Sequence, residues 1–423
     1  MAFQAPFMIP NLFPPENLLE VQFMVESLCQ EANFATRIRI REVKDGKHHS
    51  IIKFTCFMDN PPEGFEDCRV PCVLKTSKLK APSVDTHDHT LQRMAAFYHL
   101  AYDKINVPYV IAYDSTCDNF IQCSYMILGF LRGQSLPEHL HRLRSEGQPN
   151  EEDFKDFGGC LAVNIIQREM GFQFSHYGFF APGREMKAKS SKIDRRLDQI
   201  SLAICPFVFG SLHMEAGSTA IDFIINILDA SEHRIRTPLQ EERYRKLVDI
   251  ASCIKVLEDP SHPAHKPQPS VLWHPDYEPH NLLYRTEDYH YNPDVGASEP
   301  EENMPAHYER EIRARQTFLQ LVLGWEGVLA LPRIMTRCPP FFIWDGVEEL
   351  DAEGRAEVKA FFDEHIELMI PGYCADAYGE AAKMVRALGI YALMKGDYEW
   401  PELSWDGLME SWDNYVAGNQ ARE

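Results

Sequence analysis

Residues 271–284 read VLWHPDYEPHNLLY. Two apolar runs, Val271–Trp273 and Leu282–Tyr284, flank a polar loop that holds His274, Asp276, Glu278, His280 and Asn281. Pro275 and Pro279 lock φ and remove two backbone donors, so the segment predicts strand, stiff shaped loop, strand, and not a helix. The spacing inside the loop is His-x-Asp, with Asn five residues after the Asp. An Asp at the end of a strand can orient a hydroxyl and take its proton. An Asn on the returning chain can offer an oxygen to a phosphate-bound magnesium ion. So short a pattern also suits an ordinary polar turn between two strands.

The next informative stretch is VLGWEGVLALP, residues 322–332, an apolar strand interrupted by Gly-Trp-Glu-Gly. With HPDYEPHN and LGWEGVLALP together, the chain resembles the aminoglycoside phosphotransferase family, especially its diverged fungal branch. The resemblance spans about residues 35–415, and its specific content lies in these short motifs. It implies a protein-kinase-like α+β fold with two lobes: a small antiparallel-sheet N-lobe and a large, mostly helical C-lobe. It implies ATP-dependent transfer to a hydroxyl of a small molecule, and it suggests a place in fungal secondary metabolism. On this resemblance Asp276 is the base or hydroxyl-orienting group, His274 braces the loop, and Asn281 serves Mg2+.

One departure matters. The family's second motif usually carries a magnesium-holding Asp, and that position falls here on Gly324. Three readings stay open. Glu326 could substitute, since alternate strand residues share a face, offset by about 6–7 Å along it. The protein could be a pseudokinase that binds a ligand or partner without transferring phosphate. Or the cleft could serve another reaction, with Asp276 and His274 as general acid and base. Trp325 reads as a packing residue.

Composition bounds these readings. A chain of 423 residues with 45% hydrophobic content can bury a large core and hold more than one lobe. A formal net charge of −21 argues against nucleic acid, because phosphate backbones need clustered Lys and Arg. No apolar run approaches the length of a membrane span. The N-terminal MAFQAPFMIPNLFPPENLLE lacks a basic start and is broken by prolines, so it does not read as a signal peptide. Eleven scattered cysteines without a CxxC predict reduced thiols in a cytoplasmic protein. The expected partner is a small-molecule acceptor, with neither nucleic acid nor membrane.

Residues 1–34 form an extension whose helix is predicted over 15–33, with Pro15 in its first turn. Residues 35–132 make the N-lobe on the nucleotide side. Alternating apolar residues on either side of Asp45-Gly46 predict a hairpin over 38–57. RVPCVLKT gives a third strand over 70–75, and a helix follows over 87–104. By the resemblance, Gly46 lies in the turn that covers the phosphates of ATP, Lys75 pairs with those phosphates, and Gln92 takes the place of a helix Glu that would pair with Lys75. The lobe boundary falls near Gly129–Gly133, where the backbone of Gly129 and Phe130 would bond an adenine edge.

The helical C-lobe, 133–423, carries the 271–284 loop and an acidic inserted loop at 285–311, read as a solvated excursion. Helices are predicted at 151–170, 219–230, 239–258, 350–366, 373–395 and 403–416. His262 and His265, in a Pro-rich loop, read as solvated, and His280 has no assigned role.

Overall fold

The structure is a computed structural model. It describes residues 13, 17–32, 35, 37–45, 49–57, 69–77, 89–102, 104–105, 107–131, 133–145, 149–182, 202–206, 216–231, 237–256, 261–274, 277–284, 319–322, 328–345, 347–394 and 404–420. The chain divides into two compact units, the first built mainly on the chain up to Arg132, the second mainly on the chain from Gly133 onward.

In the first unit, helix α1 (Leu18–Glu31) precedes strands β1 (Arg37–Asp45), β2 (His49–Phe57) and β3 (Arg69–Ser77). Helix α2 (His89–Ala101) leads to β4 (Val110–Asp114) and β5 (Tyr125–Gly129). The five strands form one antiparallel sheet in the order β1-β2-β3-β5-β4. Alternation sorts its faces. Ile52, Phe54, Cys56, Cys72 and Leu74 point into a core closed by Val21, Val25 and Leu28 of α1. The helix begins three residues later than Pro15 predicts, because the Asn17 side chain accepts the Glu20 N–H and caps it.

The second unit opens with β6 (Gln134–Ser135), α3 (Leu136–Ser145) and α4 (Glu151–Gly171). Asn150 and Asp153 exchange side-chain and backbone bonds as a capping box, which sets the start of α4. Strands β7 (Gly178–Pro182) and β8 (Leu202–Pro206) follow, with residues 180–203 counted in the first unit, then α5 (Ala220–Ser231), α6 (Pro238–Lys255), β9 (Ser270–Trp273) and β10 (Leu282–Tyr284). Next come β11 (Leu319–Val322), β12 (Leu329–Pro332), α7 (Arg333–Thr336), α8 (Ala352–Met369), α9 (Tyr373–Tyr378), α10 (Glu380–Met394) and α11 (Trp405–Gln420). A second core joins α5, α6, α10 and α11 through Phe223, Ile254, Leu388 and Leu408.

A small antiparallel-sheet unit followed by a larger, mostly helical one is the kinase-like α+β fold that the resemblance implies. Strand order and the helix between β3 and β4 belong to the same arrangement.

Two further sequence expectations need correction. The single helix predicted over 373–395 is two, because the backbone turns extended at Gly379. A Cβ there would sit 2.6 Å from the Ala375 carbonyl oxygen, so glycine alone fits. His262 is not solvated but 6% exposed. Its Nδ1 accepts the Ala264 N–H, and its Nε2 lies 3.0 Å from the Tyr415 hydroxyl. Among the described residues no helix is long and apolar enough to cross a membrane.

Candidate functional site

In the second unit, the loop that contains the His-x-Asp pattern is bracketed by strand pairs. Trp273, immediately before His274, stands opposite Leu329 in the β9–β12 pair. Leu282, immediately after Asn281, stands opposite Val322 in the β10–β11 pair. The Gly-Trp-Glu-Gly stretch connects β11 to β12, so both motif segments begin and end on the same two pairs. Antiparallel pairing does this without any sequence proximity.

His274 is 3% exposed, and its ring lies edge-on to Tyr277 with centroids 6.1 Å apart. Asn281 is 8% exposed. Its N–H donates to the Glu278 carbonyl at 2.9 Å, closing a single tight turn that Pro279 starts. His280 is exposed, with Nδ1 3.3 Å from a Glu278 carboxylate oxygen. Asp276, Gly324, Trp325 and Glu326 lie outside the described residues, as do Gly46 and the 285–311 insertion.

In the first unit, Lys75 sits on β3 opposite Ile51 of β2 and Met126 of β5. These residues therefore share the sheet face that looks away from α1, together with Lys53, Val73 and Leu128. Lys75, Ile51 and Val73 are half-buried there. Gln92, on α2, donates its amide N–H to the Ser115 hydroxyl at 2.9 Å.

Gly129 and Phe130 have spent their donors. The Gly129 N–H goes to the Tyr109 carbonyl and the Phe130 N–H to the Pro71 carbonyl, each at 2.8 Å. Pro71 has no N–H, so the Phe130 carbonyl receives nothing back from β3. What this corner offers a purine is an acceptor, which matches an exocyclic amino group.

Sequence reading missed Lys53. It pairs with Glu42 at 2.8 Å, and its ammonium lies 5.6 Å from the Phe130 ring centroid. Lys53 and Ile51 are two apart on β2, so strand alternation alone assigns them one face. Only the β2–β3 register identifies that face as the one carrying Lys75.

ATP fits the described residues: a half-open face with a cation, and an acceptor left over by a proline. Of the two residues assigned to magnesium, Asn281 is described, and its amide would offer one oxygen to the ion; Glu326 lies outside the described residues. Among the described residues no group of three or more His, Cys, Asp and Glu is arranged to hold a metal.

No family model matches the chain. A stretch of 116 residues is 27% identical to a Clavispora lusitaniae protein named altered inheritance of mitochondria protein 9, mitochondrial. That match covers 27% of this chain and 18% of that protein. Among solved structures, a Plasmodium vivax ethanolamine kinase is similar at 12% identity over 94% of this chain and 89% of its own, with a TM-score of 0.45. A thermostable mutant of an aminoglycoside phosphotransferase, in ternary complex with ADP and hygromycin B, is similar at 12% identity over 93% and 98%, also at 0.45. A choline/ethanolamine kinase family protein from Mesorhizobium loti follows at 10% identity over 94% of each chain, at 0.35.

Proposed function

We propose that this protein is an ATP-dependent phosphotransferase of the aminoglycoside phosphotransferase type, acting on a hydroxyl of a small molecule. The observation that carries the reading is the bracketing of the two motif segments by the Trp273–Leu329 and Leu282–Val322 pairs. Such a frame fixes the strand ends from which the His-x-Asp loop and the Gly-Trp-Glu-Gly segment depart. Bound ATP supplies the phosphoryl group, and magnesium offsets its charge. In this reading Asp276 takes the proton of the acceptor hydroxyl while His274 holds the loop's backbone. Asn281, helped by Glu326, supplies oxygens to the ion. Lys75 neutralises phosphate charge, and the Phe130 carbonyl accepts from the adenine amino group. The net charge of −21 favours a small neutral or cationic acceptor over a polyanion. Free cysteines suit a reducing compartment, the cytoplasm in this reading, and the setting is fungal secondary metabolism.

A second reading is favoured by Gly324 and by Gln92, a neutral amide bonded to Ser115 where the resemblance expects a Glu. It is a pseudokinase that binds nucleotide or a partner without transfer. Thermal unfolding with ATP, with and without magnesium, followed by turnover of Asp276→Ala, separates the two. Transfer predicts a magnesium-dependent shift and loss of turnover in the folded variant. A shift without turnover in the parent selects the pseudokinase. No shift at millimolar ATP removes both nucleotide readings.

A further inference from the structure

Asn164 and Arg168 lie four residues apart on α4, one helical turn, and so leave the same face. Both reach Tyr277, the residue after Asp276. The Arg168 guanidinium lies 4.2 Å from the Tyr277 ring centroid. The Tyr277 hydroxyl donates to Asn164 Oδ1 at 3.3 Å. Burial pushes that hydroxyl up to about 12, so it stays protonated and remains a donor. Asn164, Arg168 and Tyr277 are each less than a tenth exposed.

Arg142, Arg168, Arg243, Arg333 and Arg355 each bury an Nε without an acceptor, and of these five only Arg168 is less than a tenth exposed. By contrast, Arg337 donates from Nε and both Nη atoms, and Arg386 from both Nη atoms, to carboxylate or carbonyl oxygens. The Arg168 Nε is buried without an acceptor, and among the described residues no carboxylate pairs with it. A buried cation with no anion paired to it among the described residues costs stability. What offsets the cost is the Tyr277 ring face and the C-terminal end of α4, where a positive charge is favoured. A methionine or leucine would fill the volume at lower cost. The guanidinium differs from them in fixing the plane of the ring that it covers.

We propose that Arg168 is a positioning residue: with Asn164 it clamps Tyr277 and thereby sets the 274–281 loop for phosphoryl transfer. The inference rests on the function proposed above, but the clamp itself has a readout independent of activity. Hydrogen exchange is measured on the full chain for the parent, Arg168→Met, Arg168→Lys and Tyr277→Phe, following peptides that cover 274–284. Arg168→Met is expected to speed exchange there by about tenfold while α8 keeps its protection, and Arg168→Lys to restore part of it. Tyr277→Phe removes only the hydroxyl bond and keeps the test open if Arg168→Met does not fold; it should speed exchange to a lesser degree. Initial rates of MgATP hydrolysis, with water as acceptor, give the second readout. Arg168→Met should lower kcat by about tenfold to a hundredfold with KM for ATP nearly unchanged, and Arg168→Lys should recover part of kcat. Unchanged exchange at 274–284 in folded variants overturns the clamp. Faster exchange with unchanged kcat overturns its positioning role. If the parent itself hydrolyses no ATP, the transferase reading has failed, and the exchange data alone decide the clamp.

Discussion

The Phe130 N–H donates to the Pro71 carbonyl at 2.8 Å, and Pro71 has no N–H with which to answer. The carbonyl that β3 leaves without a donor is a property of residue 71 as much as of residue 130. Pro71→Ala supplies the missing donor and should close the ladder over the Phe130 carbonyl. ATP affinity is then expected to fall about fivefold, the equivalent of roughly 1 kcal/mol. A purine triphosphate without the 6-amino group should bind both proteins equally. Calorimetric titration checks this, and equal ATP affinities would remove Phe130 from the nucleotide contacts.

His139, on α3, is 2% exposed and packs edge-on to Phe157. Burial pulls its imidazole down to about 4 from 6.5, with Arg142 adding to the shift and Asp153 opposing it. Arg142 Nη2 lies 3.1 Å from Nδ1, which accepts from it. Between those two pH values the unfolded chain holds the extra proton, so stability rises with pH. The contribution of neutral His139 is complete above about 6.5 and is lost as pH falls towards 4. His139→Gln keeps an acceptor for Arg142 and cannot titrate. Its Tm should vary less steeply with pH across that window than the parent's. Parallel curves would show that acid acts elsewhere.

Arg337 is 1% exposed and bonds both Glu169 oxygens, at 2.9 and 2.8 Å, and Asp376 at 2.9 Å. Arg386 donates to the Arg337 carbonyl, joining α7, α9 and α10 to the end of α4. Removing one partner leaves charge buried and unmatched. Arg337→Met should therefore cost about 3–5 kcal/mol in urea unfolding. Lys383→Met, which breaks the exposed pair with Glu380, should cost under about 1 kcal/mol. Similar losses in the two variants would mean that the buried network contributes little.

Gly324→Asp adds a carboxylate between β11 and β12, the segment that shares its strand pairs with the His-x-Asp loop. Oxygen ligands are what magnesium takes. In an active transferase, half-saturation by magnesium at fixed ATP is expected at a lower concentration in this variant. In a pseudokinase the same change should introduce slow ATP hydrolysis. Unchanged magnesium dependence in a variant with a parent-like circular-dichroism melt would count against any metal-dependent reading.

Local chemistry wrote much of this fold into the sequence. Alternation over 38–57 and 70–75 reports strands because strand side chains repeat every two residues. The helix over 151–170 is expected from the sequence, and the structure adds the Asn150–Asp153 capping box that sets its start. Pro275 and Pro279 exclude a helix across the central loop. The His-x-Asp spacing is legible from residue identity alone, whereas Gly324 and Gln92 stand out only against the family that the motifs resemble.

What the tertiary structure decided are matters of partner. No local pattern says that Trp273 meets Leu329, because strand pairing over such a separation depends on how the whole chain closes. His262 looked solvated among prolines, yet its partner Tyr415 is 153 residues away. The acceptor at Phe130 needs Pro71 beside it, Lys53 needs the β2–β3 register, and Arg168 needs the ring of Tyr277. Each of these properties belongs to a pair of side chains or strands, and a pair distant in sequence acquires its chemistry only when folding brings its members within bonding distance.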